Sequence, residues 1–321
     1  MERHPENPII TRKNIPSIPP DLVDVSSVFN PGAVKFKEKY LLMLRVQNRG
    51  RETFFLMADS PDGVHFDVSS KPVHFRGIEE ISEPVYHCYD ARISKIEGVF
   101  YIMFAVDMDS GCRLGLARTF DFEDFEFLGL TSTGDNRNGV LFPEKIRGRY
   151  MRLDRPNRPV LEGGPTSGSA IYLSESEDLL QWSEIGPLIE GRFHYWDELI
   201  GAGPPPLKTR EGWIQVYHGV AKHLSSSHIY QAGVMLLDLE DPLRVIGRCP
   251  FNVLEPREDY EMVGQVPNVV FPSGLIAQEI DGEGFAVINS PVFLYYGAAD
   301  TSVCLAKSTV KEFIDHAMLG N

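Results

Sequence analysis

Apolar positions along the chain fall in short runs that are paired across polar turns, and the pairing returns five times. The first copy reads AVKFKEKYLLMLRV (33–46) and then TFFLMADSPDGVHF (53–66). The second reads ARISKIEGVFYIMFAV (91–106) and LGLARTFDFEDF (114–125), the third GVLFPEKIRGRYMRL (139–153) and AIYLSESEDLLQW (170–182). The fourth reads GPPPLKTREGWIQVYHGV (203–220) and AGVMLLDLEDPLRV (232–245), the fifth NVVFPSGLIAQEIDGEGFAVI (268–288) and VFLYYGAADTSVCLA (292–306). The runs are rich in β-branched and aromatic residues and are bounded by Gly, Pro and Asp, which predicts strands. KEK (37–39), IEG (96–98), RGR (147–149) and REG (210–212) sit where hairpin turns belong. Repeats of roughly 40–60 residues made of short strands are the signature of a propeller or an array. One such unit cannot bury both of its faces, so the copies must pack on one another. The expected fold is all-β: a five-bladed β-propeller over residues 1–321 as one domain.

Both ends depart from the pattern. Residues 1–30 are Pro-rich (NIPSIPPDL) and read as a strap leading into the first copy. Helical spacing occurs in STVKEFIDHAML (308–319), where Val310, Phe313, Ile314 and Ala317 share a face and Ser308 is the expected N-cap. That short C-terminal helix is expected to clamp against the last blade.

Composition adds mainly a sign. The chain carries 31 basic and 45 acidic residues, a formal charge of −14. Such a surface argues against nucleic acid or an anionic membrane as partner, while leaving room for a small basic pocket. The apolar runs are far shorter than a membrane span. MERHPENPIITRKN at the start has no apolar stretch of the kind a signal peptide needs. Cys88, Cys112, Cys249 and Cys304 are scattered, with no CxxC pair, which points away from a zinc site or a disulfide framework and toward the cytoplasm.

A propeller funnel gathers one edge of every blade, so a site there is built from residues scattered along the chain. Asp90, in HCYDARI, reads as a general acid or as a turn-capping partner of Arg92. The stretch 135–156 holds Arg137, Lys145, Arg147, Arg149, Arg152 and Arg155, and strand alternation puts Arg137 and Arg155 near the funnel mouth. Planar guanidiniums bind phosphate or carboxylate bidentately; the alternative is a solvated basic strand pair. In YWDELIGAGPPPLKTREGWIQVYHG (195–219), GAGPPP reads as a rigid, close-packed loop and His218 ends a strand, facing the funnel or packed in the core. Asp197 and Glu198 read as ligands of sugar hydroxyls, as bases for water, or as acceptors for loop amides. Asn30, Arg45 and Asp300 lie at strand edges in the first and last copies, which ring closure brings together. Tyr86, Tyr89, Tyr195, Trp196, Tyr217 and Tyr230 suit stacking on a sugar and equally suit blade cores. There is no Gly-rich phosphate loop, no GxSxG and no HExxH.

Seven segments in order resemble glycoside hydrolase family 130, the β-mannoside phosphorylases and related β-mannosidases: FNPGAVKF (29–36), YDARI (89–93), NRNGVLFPEKIRGRYMRLDRP (136–156), IGAGPPP (200–206), YHGV (217–220), VPNVVFPSG (266–274) and YYGAADT (295–301). The resemblance runs from about NPII (7–10) to the end and implies a five-bladed propeller, in agreement with the repeat. It implies that Asp90 is the catalytic acid, that Asn30, Arg45 and Asp300 hold the reacting mannose, and that Arg137, Arg155, His218 and Tyr230 hold phosphate. The implied reaction is phosphorolysis of a β-mannoside with inversion, giving α-mannose 1-phosphate, with inorganic phosphate as co-substrate and neither cofactor nor metal.

Two departures keep rival readings open. Relatives usually carry a Lys just before the IGAG loop, whereas here WDELIGAG has Leu199 there and is one residue shorter. The loss of that cation and the presence of Glu198 favour a second reading, an inverting β-mannosidase in which Glu198 activates water, with its carboxyl about 6.5–9.5 Å from the acid. The acid motif also reads YDAR where many relatives have Pro after the Asp. A third reading is a non-catalytic sugar-binding propeller, which has no need of Asp90 or of the basic cluster. Loops 67–88, 156–169 and 221–231, together with RFHYWDE (192–198), are expected to shape the acceptor side, and a homo-oligomer fits any of these readings.

Overall fold

The structure is a computed structural model that describes residues 1–158, 168–223 and 227–320. Each copy of the repeat becomes one antiparallel sheet, and the five sheets are the blades of a propeller. Blade I comprises Val25–Val28 with Gly32–Phe36, then Lys39–Asn48, Thr53–Ser60 and Asp67–Pro72. Blade II comprises Val85–Ile96, Val99–Met108, Gly111–Thr119 and Phe125–Leu130, with Phe75–Arg76 added in parallel at its outer edge. Blade III comprises Asn136–Leu141, Tyr150–Pro156, Ala170–Ser176 and Ser183–Glu190. Blade IV comprises Leu199–Ala202 with Leu207–Thr209, then Gly212–Ala221, Ile229–Leu237 and Val245–Arg248. Blade V comprises Val270–Ala277, Pro291–Ala298 and Ser302–Thr309. The first strand of each blade lies inward, against the first strands of other blades. In blades I and IV that inner strand is broken, at Pro31 and at Pro204–Pro206, because proline has no N–H to give to the ladder.

The turns named from sequence form as hairpins. Lys37 and Glu38 (φ 48° and 65°), Glu97 and Gly98 (50° and 85°), and Arg147 and Gly148 (51° and 78°) all take left-handed backbone. Two consecutive left-handed residues give the turn whose twist matches paired strands. The recurrent Asp turn has its own cause. Ser60, Thr119 and Ser176 end third strands, and their hydroxyls accept the N–H of the residue three positions on, at 2.9, 3.0 and 2.9 Å. Asp121 and Asp178 then each accept two backbone N–H groups, which hold both carboxyls below the usual range. These corners fold the outer strand back onto the blade, and in blades II and III they also seat an apolar residue, Phe122 or Leu179, in the core.

The strap is less irregular than its prolines suggest. Glu2–Arg3 pairs with Ser302–Thr309 as the outermost strand of blade V, and Ile10 bridges to Val303 on the same blade. Residues near opposite ends of the sequence thus complete one sheet, and the ring closes there. Arg3 fixes the closure through Glu261, whose side chain is fully buried: Nε donates at 2.8 Å and Nη2 at 2.9 Å. Glu261 also accepts from Tyr296 Oη (2.8 Å) and from the amide of Arg257 (2.8 Å). Burial opposes its charge, but these donors, Arg3 foremost, hold its carboxyl below the usual range.

At the other end the helix spans Val310–Met318, and its N-cap is Thr309 rather than Ser308. Thr309 Oγ1 accepts the amide of Glu312 and the Glu312 carboxylate accepts the amide of Thr309, a reciprocal box. The Ser308 hydroxyl instead donates to the Glu312 side chain. Val310, Phe313, Ile314 and Ala317 are buried as expected, against the two outer strands of blade IV as well as blade V, so the helix spans the junction between them. A one-turn helix at Asp259–Met262 was not evident in the pattern. Among the described residues no helix is long and apolar enough to cross a membrane.

The closure sets a stability test. Arg3→Ala leaves Glu261 buried with its main cationic partner gone, and is expected to cost about 2–3 kcal/mol in denaturant unfolding. Because Glu261's carboxyl is lowered in the folded state, its contribution is present above the ordinary carboxylate pKa and is lost as pH falls through the folded value. The gap between wild type and variant should therefore narrow in acid; a gap that is absent at pH 7 removes the pair from any role in closure.

Candidate active site

A cavity of about 260 Å³ is lined by Asn30, Arg45, Tyr89, Asp90, Arg137, Asn138, Arg155, His218, Tyr230, Val266, Val269, Phe271 and Asp300. All five blades contribute. Eight of the nine candidate residues meet there: Asn30, Arg45, Asp90, Asp300, Arg137, Arg155, His218 and Tyr230. Glu198 is not among the lining residues; its Oε1 pairs with Lys222 Nζ at 3.0 Å.

One side of the cavity gathers the carboxylates. Asn30 precedes the break in the inner strand of blade I, and its Nδ2 is buried without a hydrogen-bond partner among the described residues. Arg45, on the next strand, lies between the rings of Phe29 and Tyr89 (4.2 and 4.8 Å) and reaches Asp90 Oδ1 at 3.5 Å. Asp90 sits in a bulge of the inner strand of blade II, between Tyr89 and Arg92, with φ of 59°. A non-glycine residue held in left-handed backbone is strained, by roughly 1–3 kcal/mol. Arg92 does not pair with the Asp90 carboxylate: its Nη1 donates to the Asp90 carbonyl at 2.8 Å. The carboxylate is thereby left to the cavity. Asp300 lies in the left-handed turn of blade V with Ala299 (φ 49° and 47°). Burial, reinforced by Asp90 and opposed by Arg45, raises its carboxyl to about 6.

The other side gathers donors. Arg137 and Arg155 are directly paired across the first two strands of blade III, so two guanidiniums stand side by side. The Nε atoms of both are buried without partners among the described residues. Burial and then the neighbouring Arg137 lower the Arg155 pKa, the signature of like charges confined together. His218 is buried, with its ring 4.5 Å from that of Phe271 and its Nδ1 unpartnered. Burial, Arg155 and Arg92 hold it well below its usual pKa, so it is neutral at pH 7. It fits only because position 201 is glycine: a Cβ there would lie 2.4 Å from His218 Cε1 and 2.8 Å from Asn138 Oδ1. This is the physical content of the GAG loop.

The other basic residues of 135–156 go elsewhere. Lys145 pairs with Glu97 (3.1 Å), Arg149 with Glu177, and Arg152 with the buried Asp154 (2.7 Å). Asp197 is fully buried, held by Arg192, Arg248 and Tyr217. Tyr217 is core, while Tyr89 and Tyr230 line the cavity. Asn138 and Phe271 were missed, although both stand inside motifs singled out from the sequence; Asn138 (φ 53°) carries an unpartnered buried Oδ1. Of the loops expected on the acceptor side, residues 159–167 and 224–226 lie outside the described residues. Among the described residues no three His, Cys, Asp or Glu side chains converge as a metal site requires.

The family model described as beta-1,4-mannooligosaccharide phosphorylase, of glycoside hydrolase family 130, matches residues 1–318. The chain belongs to glycoside hydrolase family 130. It is 33% identical to the beta-1,4-mannooligosaccharide phosphorylase of Ruminococcus albus, over 98% of this chain and 90% of that protein. It is 31% identical to the 1,2-beta-oligomannan phosphorylase of Thermoanaerobacter sp. (strain X514), over 89% of this chain and 91% of that one. Among solved structures, the beta-1,2-mannobiose phosphorylase of Listeria innocua in complex with beta-1,2-mannobiose superposes with a TM-score of 0.85 at 28% identity, covering 98% of each chain. This family 130 member therefore shares its fold with the solved Listeria innocua enzyme and matches at least 90% of the length of each of these three proteins.

The raised carboxyl of Asp300 yields a signed expectation. Its ionised form is disfavoured in the fold, so stability is highest below the ordinary carboxylate pKa and falls as pH rises toward and through about 6. Asp300→Asn removes that penalty. The variant should gain up to about 3 kcal/mol over wild type at pH 7.5, and little at pH 4, in parallel thermal melts. A gain that does not depend on pH would refute the raised carboxyl.

Proposed function

We propose that this protein cleaves β-mannosides by phosphorolysis with inversion, releasing α-mannose 1-phosphate. The observation that carries the proposal is the Arg137–Arg155 pair, two half-buried arginines side by side with no carboxylate partner among the described residues, next to a neutral histidine and a tyrosine. A dianion entering such a pocket loses its hydration, and fixed cationic donors offset that loss. A sugar-binding propeller has no use for this arrangement.

In this reading Asn30, Arg45 and Asp300 hold the mannosyl ring. Asp90 supplies the proton that the leaving glycosidic oxygen takes up, relayed through a hydroxyl of the mannose. Phosphate, held by Arg137, Arg155, His218 and Tyr230, attacks the anomeric carbon from the opposite face. The new C–O bond forms as the glycosidic C–O bond breaks, and the proton ends on the released sugar. His218 suits this role because it is neutral: its ring can donate one hydrogen bond without charge. Phosphate is a co-substrate, and no cofactor enters the chemistry. The relatives named for phosphorolysis support the reading. So does Glu198, which is tied to Lys222 and does not line the cavity, and so is poorly placed as a base for water. Four unpaired cysteines fit a reducing, cytoplasmic setting.

The test is incubation with β-1,4- and β-1,2-linked mannobiose, with and without phosphate. Mannose 1-phosphate should appear only when phosphate is present, whereas release of free mannose at a similar rate without phosphate sinks the proposal. Asp90→Asn should lower turnover by at least about 100-fold. Glu198→Gln should leave phosphorolysis within roughly threefold of wild type. A severe loss in Glu198→Gln would return the hydrolytic reading to first place.

A further inference from the structure

Arg92 lies beneath the cavity rather than in its lining, and is 1% exposed. Its guanidinium makes no ion pair among the described residues; it bonds backbone carbonyls on two different blades. Nε donates to Gly203 O in the IGAGPPP loop of blade IV at 2.7 Å, and Nη1 to Asp90 O in the bulge of blade II at 2.8 Å. Its Cζ is 5.6 Å from the Phe271 ring of blade V, and its Nη2 is buried without a partner among the described residues. Burying a cation that forms no salt bridge costs several kcal/mol, which two carbonyls and the more distant charge of Asp90 offset only in part. Neutral donors would hold two carbonyls at lower cost, so packing alone does not explain an arginine here.

We infer that Arg92 is a positioning residue: its rigid fork fixes the strained Asp90 bulge to the loop beneath His218, so that proton donor and anion site keep one spacing. Gly203 is itself fixed, since its amide donates to Val216 O at 3.1 Å, and Gly201 in the same loop pairs in register with His218. The guanidinium is therefore a direct link between the blade that carries the acid and the blade that carries the histidine. Its positive charge lies behind the anion side of the cavity and adds to the field of Arg137 and Arg155. Lysine keeps that charge but cannot span two carbonyls in a plane.

This inference rests on the reading of Asp90 as the acid, and the variants separate the two. Arg92→Lys should lower kcat for phosphorolysis of mannobiose by roughly 10- to 100-fold, the scale of a small misplacement of reacting groups. Its KM for phosphate should stay within about threefold of wild type, because the charge remains. Arg92→Gln should lower kcat similarly and also raise the phosphate KM. Both are measured on protein shown to be folded by circular dichroism and thermal melts. Arg92→Lys with native kcat overturns the inference, as does a loss that only tracks the folded fraction. Failure of both variants to fold also overturns it, in favour of a purely architectural role. If Asp90→Asn retains turnover, the assignment of the acid falls instead, whatever Arg92→Lys does.

Discussion

Guanidinium groups confined at the centre of an acidic protein set the constraint that the rest of the structure has to satisfy. Arg137 and Arg155 repel one another, and Arg92 is buried with carbonyls for company. In a loosely packed protein these groups would move apart or reach water. Here each is anchored on a strand of a different blade or a different row, and each blade is pinned by its neighbours. The apolar clusters between blades provide the rigidity: one spreads from Val140 on blade III to Phe313 in the terminal helix, another joins Val28 and Leu44 of blade I to Tyr295 and Leu305 of blade V. The hydrophobic effect that holds these clusters together is what allows like charges to stay close.

The division of labour follows the repeat. What recurs is architectural: left-handed hairpins, apolar second and third strands, and the Ser/Thr-x-Asp corners. What occurs once is chemical. Asp90 stands in a bulge in the inner strand of blade II, Arg137 and Arg155 at a register pair in blade III, His218 over a glycine in blade IV, and Asp300 in a turn of blade V. Several of these positions carry unusual backbone, with positive φ at Asp90, Asn138 and Asp300. Left-handed backbone is thus used in two ways, to turn hairpins at Lys37, Glu97 and Arg147 and to aim side chains at the cavity.

Much of this was legible in the chain because its signals are local. Alternating apolar runs and turn residues gave the blades, and the family resemblance named eight lining residues, of which Arg45 and Tyr230 lie outside its motifs. What stayed hidden depends on partners far away in sequence. Arg92 reads as a salt-bridge partner for its neighbour Asp90, and only the fold reveals Gly203 as its acceptor. Glu198 reads as a free base until Lys222, three strands further along blade IV, is seen against it. The strap hides a strand because two residues, Glu2 and Arg3, carry no periodicity of their own. The cap moved by one residue, from Ser308 to Thr309, because both hydroxyls reach Glu312 and only the fold decides which of them ends the strand.

The strand that closes the ring lies at the rim and not at the site. Glu2–Arg3 forms the outer edge of blade V, and the strap then carries the chain into blade I, so these two blades are joined by continuous backbone as well as by contacts such as Ser273 Oγ to Pro31 O (2.7 Å) and Tyr295 Oη to Gly63 O (2.8 Å). Fraying of that two-residue strand unpairs an outer edge and leaves the ladder between Pro291–Ala298 and Ser302–Thr309, whose turn holds Asp300. Wear at the start of the chain therefore falls on the periphery of the ring and spares its centre.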